Sequence, residues 1–134
     1  MNIFMAIQPS GDGGFSVVTG GNNFLFLNNS TVNMYGGKIT DGHVTSTAAG
    51  TAGNVSVRNG SVFNMYGGVV SNGTAVQNDT AKLAGAGQGG NIYASGGARI
   101  TMSGGTVEKG TGVHGTGFYL DKGAQLTMSA GKIV

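Results

Sequence analysis

The side chains that could support acid–base or metal chemistry are few in this sequence. The chain has five carboxylates and two histidines, which are Asp12, Asp41, Asp79, Glu108, Asp121, His43 and His114. In the repeat described below, Asp41 and Glu108 fall on the third strand of the first and third copies. They are then about 10 Å apart on strand spacing, within the range of an inverting carboxylate pair. Because Ser71 lies between them in the alignment and Lys109 adjoins Glu108, unpaired surface carboxylates are the favoured interpretation.

The histidines do not form a catalytic or metal-binding pattern. His43 and His114 lie in segments of variable length, at different offsets from the preceding strand, which favours solvated loop side chains over a zinc ligand or catalytic base. A calcium site needs six or more oxygen ligands with several carboxylates, and the sequence has no such array. It also lacks cysteine and a GxSxG motif. We therefore predict that the protein is not an enzyme and has no catalytic residue, metal or cofactor.

The tyrosines are the side chains best suited to binding. There are four, Tyr35, Tyr66, Tyr93 and Tyr119. The repeat places Tyr35 over Tyr66 and Tyr93 over Tyr119 as aromatic pairs on the surface. Exposed aromatic rings can receive sugar rings, so these four residues are the candidates for glycan contact. Packing between neighbouring rungs that only stabilises the stack is the favoured interpretation.

Composition limits the classes of function. The 134 residues suffice for one domain, and the net charge of +2 comes from seven bases and five acids, with no two basic residues adjacent. Nucleic-acid binding needs a denser basic face, and no apolar run reaches the length of a membrane span. The first residues lack the basic region of a signal peptide. Glycine is abundant, at 28 residues, but recurrent β-branched and aromatic residues argue against disorder.

The elements that position these side chains come from an internal repeat. Four segments align without gaps, beginning at Phe24, Val55, Ile92 and Phe118. In each copy a methionine follows the first residue by ten, and an apolar residue follows the methionine by five. Apolar residues alternate within each copy, which predicts strands with one buried face. Glycine doublets such as Gly96-Gly97 and Gly104-Gly105 predict tight corners.

Stacking of the copies in parallel register would bury their inner faces, with about 4.8 Å between rungs. We therefore predict an all-β parallel β-solenoid with three short strands per coil and about four full coils. Residues 1–22 are predicted as an incomplete or capping coil, and residues 23–134 as the solenoid, with variable loops at 42–53, 73–90 and 110–116. The predicted interior columns are Phe24/Val55/Ile92/Phe118, Phe26/Val57/Ala94/Leu120, Val32/Phe63/Ile100/Leu126, Met34/Met65/Met102/Met128 and Ile39/Val70/Val107/Ile133.

The repeats resemble those of a known family. The phrases NMYGGKITDG, NMYGGVVSNG and GGNIYASGGARITMSGGTVEKG are similar to the repeats of bacterial pectin-lyase-like surface proteins. The resemblance covers roughly residues 20–134. It implies a right-handed parallel β-helix, an extracellular or cell-surface location, and an adhesin-like or structural role.

The last copy suggests self-association. Its interior residues have no polar cap after them and are Phe118, Leu120, Leu126, Met128 and Ile133. Open sheet edges pair with other chains, so we expect either a piece of a longer array or head-to-tail stacking of copies. The leading hypothesis is a structural module of an extracellular fibre or surface stalk. The alternatives are a glycan-binding adhesin segment and, more weakly, a polysaccharide lyase or depolymerase using Asp41 and Glu108.

Overall fold

The computed structural model describes residues 16–17, 25–29, 31–46, 52–77 and 88–134. Within these ranges the chain is all-β, and no helix is present that could cross a membrane. The strands are β1 (Ser16–Val17), β2 (Leu25–Asn28), β3 (Thr31–Met34), β4 (Lys38–Thr40), β5 (His43–Ser46), β6 (Val55–Arg58), β7 (Val62–Met65), β8 (Val69–Ser71), β9 (Thr74–Gln77), β10 (Ile92–Ala94), β11 (Arg99–Glu108), β12 (Thr111–Gly112), β13 (Phe118–Leu120) and β14 (Gln125–Ile133).

The strands form three sheets in which every pairing of described strands is parallel. The largest sheet has the order β1-β4-β8-β11-β7-β3, and β14 also pairs with β11. The second sheet has the order β13-β10-β6-β2, and the third β12-β9-β5. From β2 onward, each strand pairs with its equivalent in a neighbouring repeat. The repeat predicted from the sequence is therefore the unit of strand pairing.

Three of the five predicted interior columns are confirmed by the strand register. Met34 pairs with Met65, Met65 with Met102, and Met102 with Met128. The columns headed by Val32 and Ile39 pair in the same way. Their members in the first three repeats are at most 4% exposed. Apolar alternation thus places these side chains in one continuous core.

The other two columns are wrong by one residue in the first repeat. Leu25, not Phe24, pairs with Val55, and Leu27, not Phe26, pairs with Val57. The cause is turn length, because two residues separate β2 from β3 whereas three separate β6 from β7. An alignment without gaps conceals this difference. From β6 onward both columns follow the prediction, through β10 to β13.

The prediction of three strands per repeat is incomplete. The segments predicted as variable loops, 42–53, 73–90 and 110–116, contain strands β5, β9 and β12, which form the third sheet. His43 pairs with Thr74 and Thr74 with Thr111. These strands are rich in Thr, Ser and Gly, so apolar alternation does not reveal them. The predicted corner at Gly104-Gly105 is a register irregularity within the continuous strand β11.

Of residues 1–22, the structure describes only the short strand β1. Ser16 and Val17 pair in parallel with Lys38 and Ile39 of β4. This pairing places β1 next to β4, at one end of the strand order of the largest sheet. The rest of the predicted capping coil at residues 1–22 lies outside the described residues.

Candidate functional site

The carboxylate pair considered from the sequence is one residue out of register. Thr40, not Asp41, pairs with Ser71, and Ser71 pairs with Glu108. The hydroxyls of Thr40 and Ser71 lie 3.1 Å apart in a buried hydrogen bond. Asp41 lies beyond the strand with φ of 62°, and its Oδ2 accepts a hydrogen bond from Thr40 Oγ1 at 3.1 Å. The two carboxylates therefore do not share a strand position.

Glu108 has a nearby cation. Lys109 Nζ lies 3.9 Å from Glu108 Oε1, and the lysine side chain is 70% exposed. An exposed ion pair of this kind contributes about 0–1 kcal/mol to stability. Asp12 and Asp79 lie outside the described residues. Among the residues that are described, no group of three or more His, Asp or Glu side chains could hold a metal ion.

The histidines lie at separate positions. His43 begins β5 and is exposed. His114 is exposed and lies beside Tyr119, with ring centroids 6.3 Å apart and planes at 49°. Since His43 pairs with Thr74 and Thr74 with Thr111, His114 is three residues beyond the equivalent position. The offset predicted from the sequence is thus present in the fold.

The first tyrosine pair stacks on the surface as predicted. Tyr35 and Tyr66 each follow the aligned methionine at the end of β3 and β7, so they point away from the core. Their ring centroids are 5.0 Å apart and their planes differ by 9°. They are 52% and 48% exposed. This pair is an accessible aromatic surface.

The second tyrosine pair also stacks, but Tyr93 is not accessible. The centroids of Tyr93 and Tyr119 are 6.0 Å apart with planes at 7°. Tyr93 is only 4% exposed, so the prediction of a surface ring there is wrong. The Arg58 guanidinium lies 5.4 Å from the centroid of the Tyr93 ring. The Tyr93 hydroxyl donates a hydrogen bond to Asp121 Oδ2 at 3.4 Å. Its neighbour in the register, Ser56, is buried as well.

A polar ladder runs beside the exposed tyrosines. The predicted stacking of Asn33 on Asn64 is confirmed, since Asn64 Nδ2 donates to Asn33 Oδ1 at 2.9 Å. Thr101 pairs with Thr127 in the register, also as predicted. In addition, the Thr101 hydroxyl donates to Asn64 Oδ1. Hydrogen bonds between rungs therefore hold the outer face of this sheet in one arrangement.

A second, buried ladder was missed in the sequence. Asn54 and Asn91 are fully buried, and Asn54 Nδ2 donates to Asn91 Oδ1 at 2.8 Å. Each Oδ1 also accepts a backbone N–H at 2.9 Å, from Gly42 and Gly73 respectively. Each Nδ2 also donates at 2.8 Å to a backbone carbonyl, those of Ser71 and Glu108. The available signal was the Gly-Asn dipeptide before β6 and β10.

Three of the five interior residues of the fourth repeat are exposed. Leu120, Met128 and Ile133 are 40%, 41% and 43% exposed. Phe118 and Leu126 are partly buried and pack against the core. The residues that pair with Met128 and Ile133 one repeat earlier are almost completely buried. The exposed set therefore continues the core columns into the fourth repeat.

Comparison of the chain with protein families, with characterised proteins and with solved structures finds no match.

Proposed function

We propose that the described strands are rungs of a right-handed parallel β-solenoid, the fold of the pectin-lyase-like surface proteins that the repeats resemble. The parallel pairing of each strand with its equivalent in the next repeat supports this arrangement. So does the order in which each of the first three repeats contributes strands to the second, the largest and the third sheet. Crossovers between parallel strands of one sheet are right-handed in nearly all proteins. An extracellular or cell-surface location forms part of the same proposal.

The function that we propose for this solenoid is structural: copies stack end to end, as in a fibre or a surface stalk. The observation that carries the proposal is the exposed apolar rung of β13 and β14, with Met128 and Ile133 about two-fifths exposed. Exposed apolar surface favours association, and an unpaired strand edge offers backbone groups to another strand. Both features lie on the same end of the stack, so one contact would cover both.

A non-enzymatic role agrees with the placement of the carboxylates. Asp41 and Glu108, the pair considered for polysaccharide cleavage, do not share a strand position. Glu108 also forms an ion pair with Lys109. A polysaccharide lyase or depolymerase is accordingly the weakest of the three functions considered.

Light scattering and negative-stain electron microscopy of the 134-residue chain test the stacking. We expect the mean mass to rise with concentration in the micromolar range and thin filaments to form. Met128→Lys and Ile133→Lys should each hold the mass at 13.3 kDa, because a charge on the apolar rung opposes its burial. Val113→Lys is the matched control, since Val113 is 51% exposed and lies outside β13 and β14.

Two results would contradict the stacking proposal. A monomer at every concentration would mean that the apolar rung does not associate. A mass that saturates at twice the monomer would indicate two rungs meeting face to face, which closes at a dimer and builds no fibre.

A glycan-binding adhesin segment is the second candidate. It is favoured by the half-exposed stack of Tyr35 and Tyr66 next to an ordered amide and hydroxyl ladder. Aromatic rings beside hydrogen-bonding groups suit ligands with an apolar face and a polar rim. A glycan microarray probed with the intact chain tests this candidate, and an array without binding would reject it.

A further inference from the structure

The exposed aromatic stack stops after two members. Tyr35 and Tyr66 stack face to face, 5.0 Å apart, so the faces between them are occupied. In the third repeat the residue that follows the aligned methionine is Ser103, which is exposed. On the far side of Tyr66, the next repeat therefore has a small hydroxyl side chain at the position where a third tyrosine would continue the stack.

The backbone continues past Tyr66 without a gap. A Cβ on Gly104 would overlap the carbonyl oxygen of Tyr66, so the two backbones are in close contact. The two repeats therefore differ at this position in the side chain, tyrosine in one and serine in the next. One rung advances by about 4.8 Å, which is close to the spacing of the two stacked tyrosines. The step from tyrosine to serine leaves room for one ring.

The rim of this space is polar and neutral. Thr101 and Thr127 continue the ladder of Asn64 on the same face and are exposed. The hydroxyls of Ser103 and Thr127 have no hydrogen-bond partner within the described part of the chain. They can bond to a ligand without losing a protein contact. None of these rim residues is charged.

We propose that the far face of Tyr66, above Ser103, binds one neutral hexopyranose ring of a glycan. The sugar is the third member of the stack, and its hydroxyls bond to Ser103, Thr101 and Thr127. A pyranose has a face of C–H groups and a periphery of hydroxyls, which matches an aromatic face with a hydroxyl rim. A purely aromatic ligand leaves that rim unmatched. The site rests on the glycan-binding candidate and is independent of end-to-end stacking.

The second tyrosine pair is an internal contrast. Arg58 covers Tyr93, so no ring face of that residue is open to a sugar. Tyr119 is half-buried and has His114 beside it. The proposed site therefore lies at the first tyrosine pair and not at the second.

The test is an NMR titration with three tetrasaccharides: β-1,4-linked glucose, β-1,4-linked N-acetylglucosamine and β-1,4-linked galactose. We expect at least one to bind and to shift the Tyr66 ring signals. Tyr66→Ala should weaken that binding by about tenfold or more, equivalent to 1.4 kcal/mol, and Tyr66→Phe should retain it. Val113→Ala, at an exposed apolar residue outside the tyrosine pairs, should leave the affinity unchanged.

Ser103→Tyr is the decisive variant. The new ring should complete the stack, occupy the sugar site and abolish binding, while the midpoint of thermal unfolding does not fall. Loss of binding therefore cannot be assigned to misfolding. Wild-type protein that binds none of the three probes overturns both this site and the glycan-binding candidate. Undiminished binding by Ser103→Tyr overturns the site alone.

Discussion

Asn54 and Asn91 are one repeat apart, fully buried, and joined by a side-chain hydrogen bond of 2.8 Å. Their carboxamide oxygens also accept hydrogen bonds from the backbone N–H groups of Gly42 and Gly73, which follow β4 and β8 of the largest sheet. The ladder therefore connects the starts of the second and third repeats to the turns after β4 and β8. Buried polar groups that are fully paired define one arrangement and are costly to break.

The variant Asn91→Ala should strongly destabilise the protein. It leaves the Gly73 N–H and one N–H of the buried Asn54 carboxamide without the partner that Asn91 provides. Each buried group left unpaired costs about 1–3 kcal/mol, so we expect a loss of about 3 kcal/mol in urea unfolding. Asn64→Ala, in the outer ladder, is the comparison and should cost about 1 kcal/mol. Equal losses in the free energy of unfolding would mean that the buried ladder stabilises the protein no more than the outer ladder does.

The variant Gly117→Asn should stabilise the last repeat. Gly117 follows Asn91 in the same column, because Ile92 pairs with Phe118. Asn54 and Asn91 each donate to the backbone carbonyl of the residue seventeen positions later in the chain. For an asparagine at position 117, that residue is Val134. A Cβ there meets Ile133 Cγ2 at 3.3 Å, on a side chain that is 43% exposed and can shift.

We expect a gain of about 1 kcal/mol from the added hydrogen bonds. The measurement is the urea midpoint against that of Gly117→Ala, which adds the Cβ without the amide. If both variants have the same stability, the ladder does not extend into the last repeat.

Glycines at one repeated position should differ in tolerance. A Cβ on Gly67 would lie 2.6 Å from the Tyr35 carbonyl oxygen, whereas one on Gly36 would meet none of the described residues within 4 Å. Gly67→Ala should therefore cost about 1–3 kcal/mol through overpacking. Gly36→Ala should change stability by less than about 1 kcal/mol or raise it. Thermal unfolding of the two variants checks the difference, and similar midpoints would refute the close approach of successive repeats.

The tyrosines should divide into one structural and one accessible pair. Tyr93→Ala removes a ring that is 4% exposed, and buried aromatic truncations cost about 3–5 kcal/mol. Tyr35→Ala removes a half-exposed ring and should cost about 1 kcal/mol. Chemical denaturation followed by circular dichroism compares them. A larger loss for Tyr35→Ala would reverse the assignment of the two pairs.

Much of the fold could be predicted from local spacing. Met34, Met65 and Met102 pair as the repeat predicted, because strand alternation and a constant separation place equivalent residues on one line. Tyr35 stacks on Tyr66 for the same reason. Periodicity of this kind is a property of adjacent residues, so it can be read without knowing what the chain folds against.

Tertiary structure decided the remainder. The shift from Phe24 to Leu25 follows from one turn being a residue shorter, and the burial of Tyr93 follows from Arg58 lying over its ring. The pairing of Asn54 with Asn91 joins residues 37 apart. In the sequence, Tyr93 is an aromatic residue and Asn54 and Asn91 are amides, and these residue types are common at protein surfaces. Their burial depends on which distant groups cover and bond to them, and that is determined only when the repeats stack.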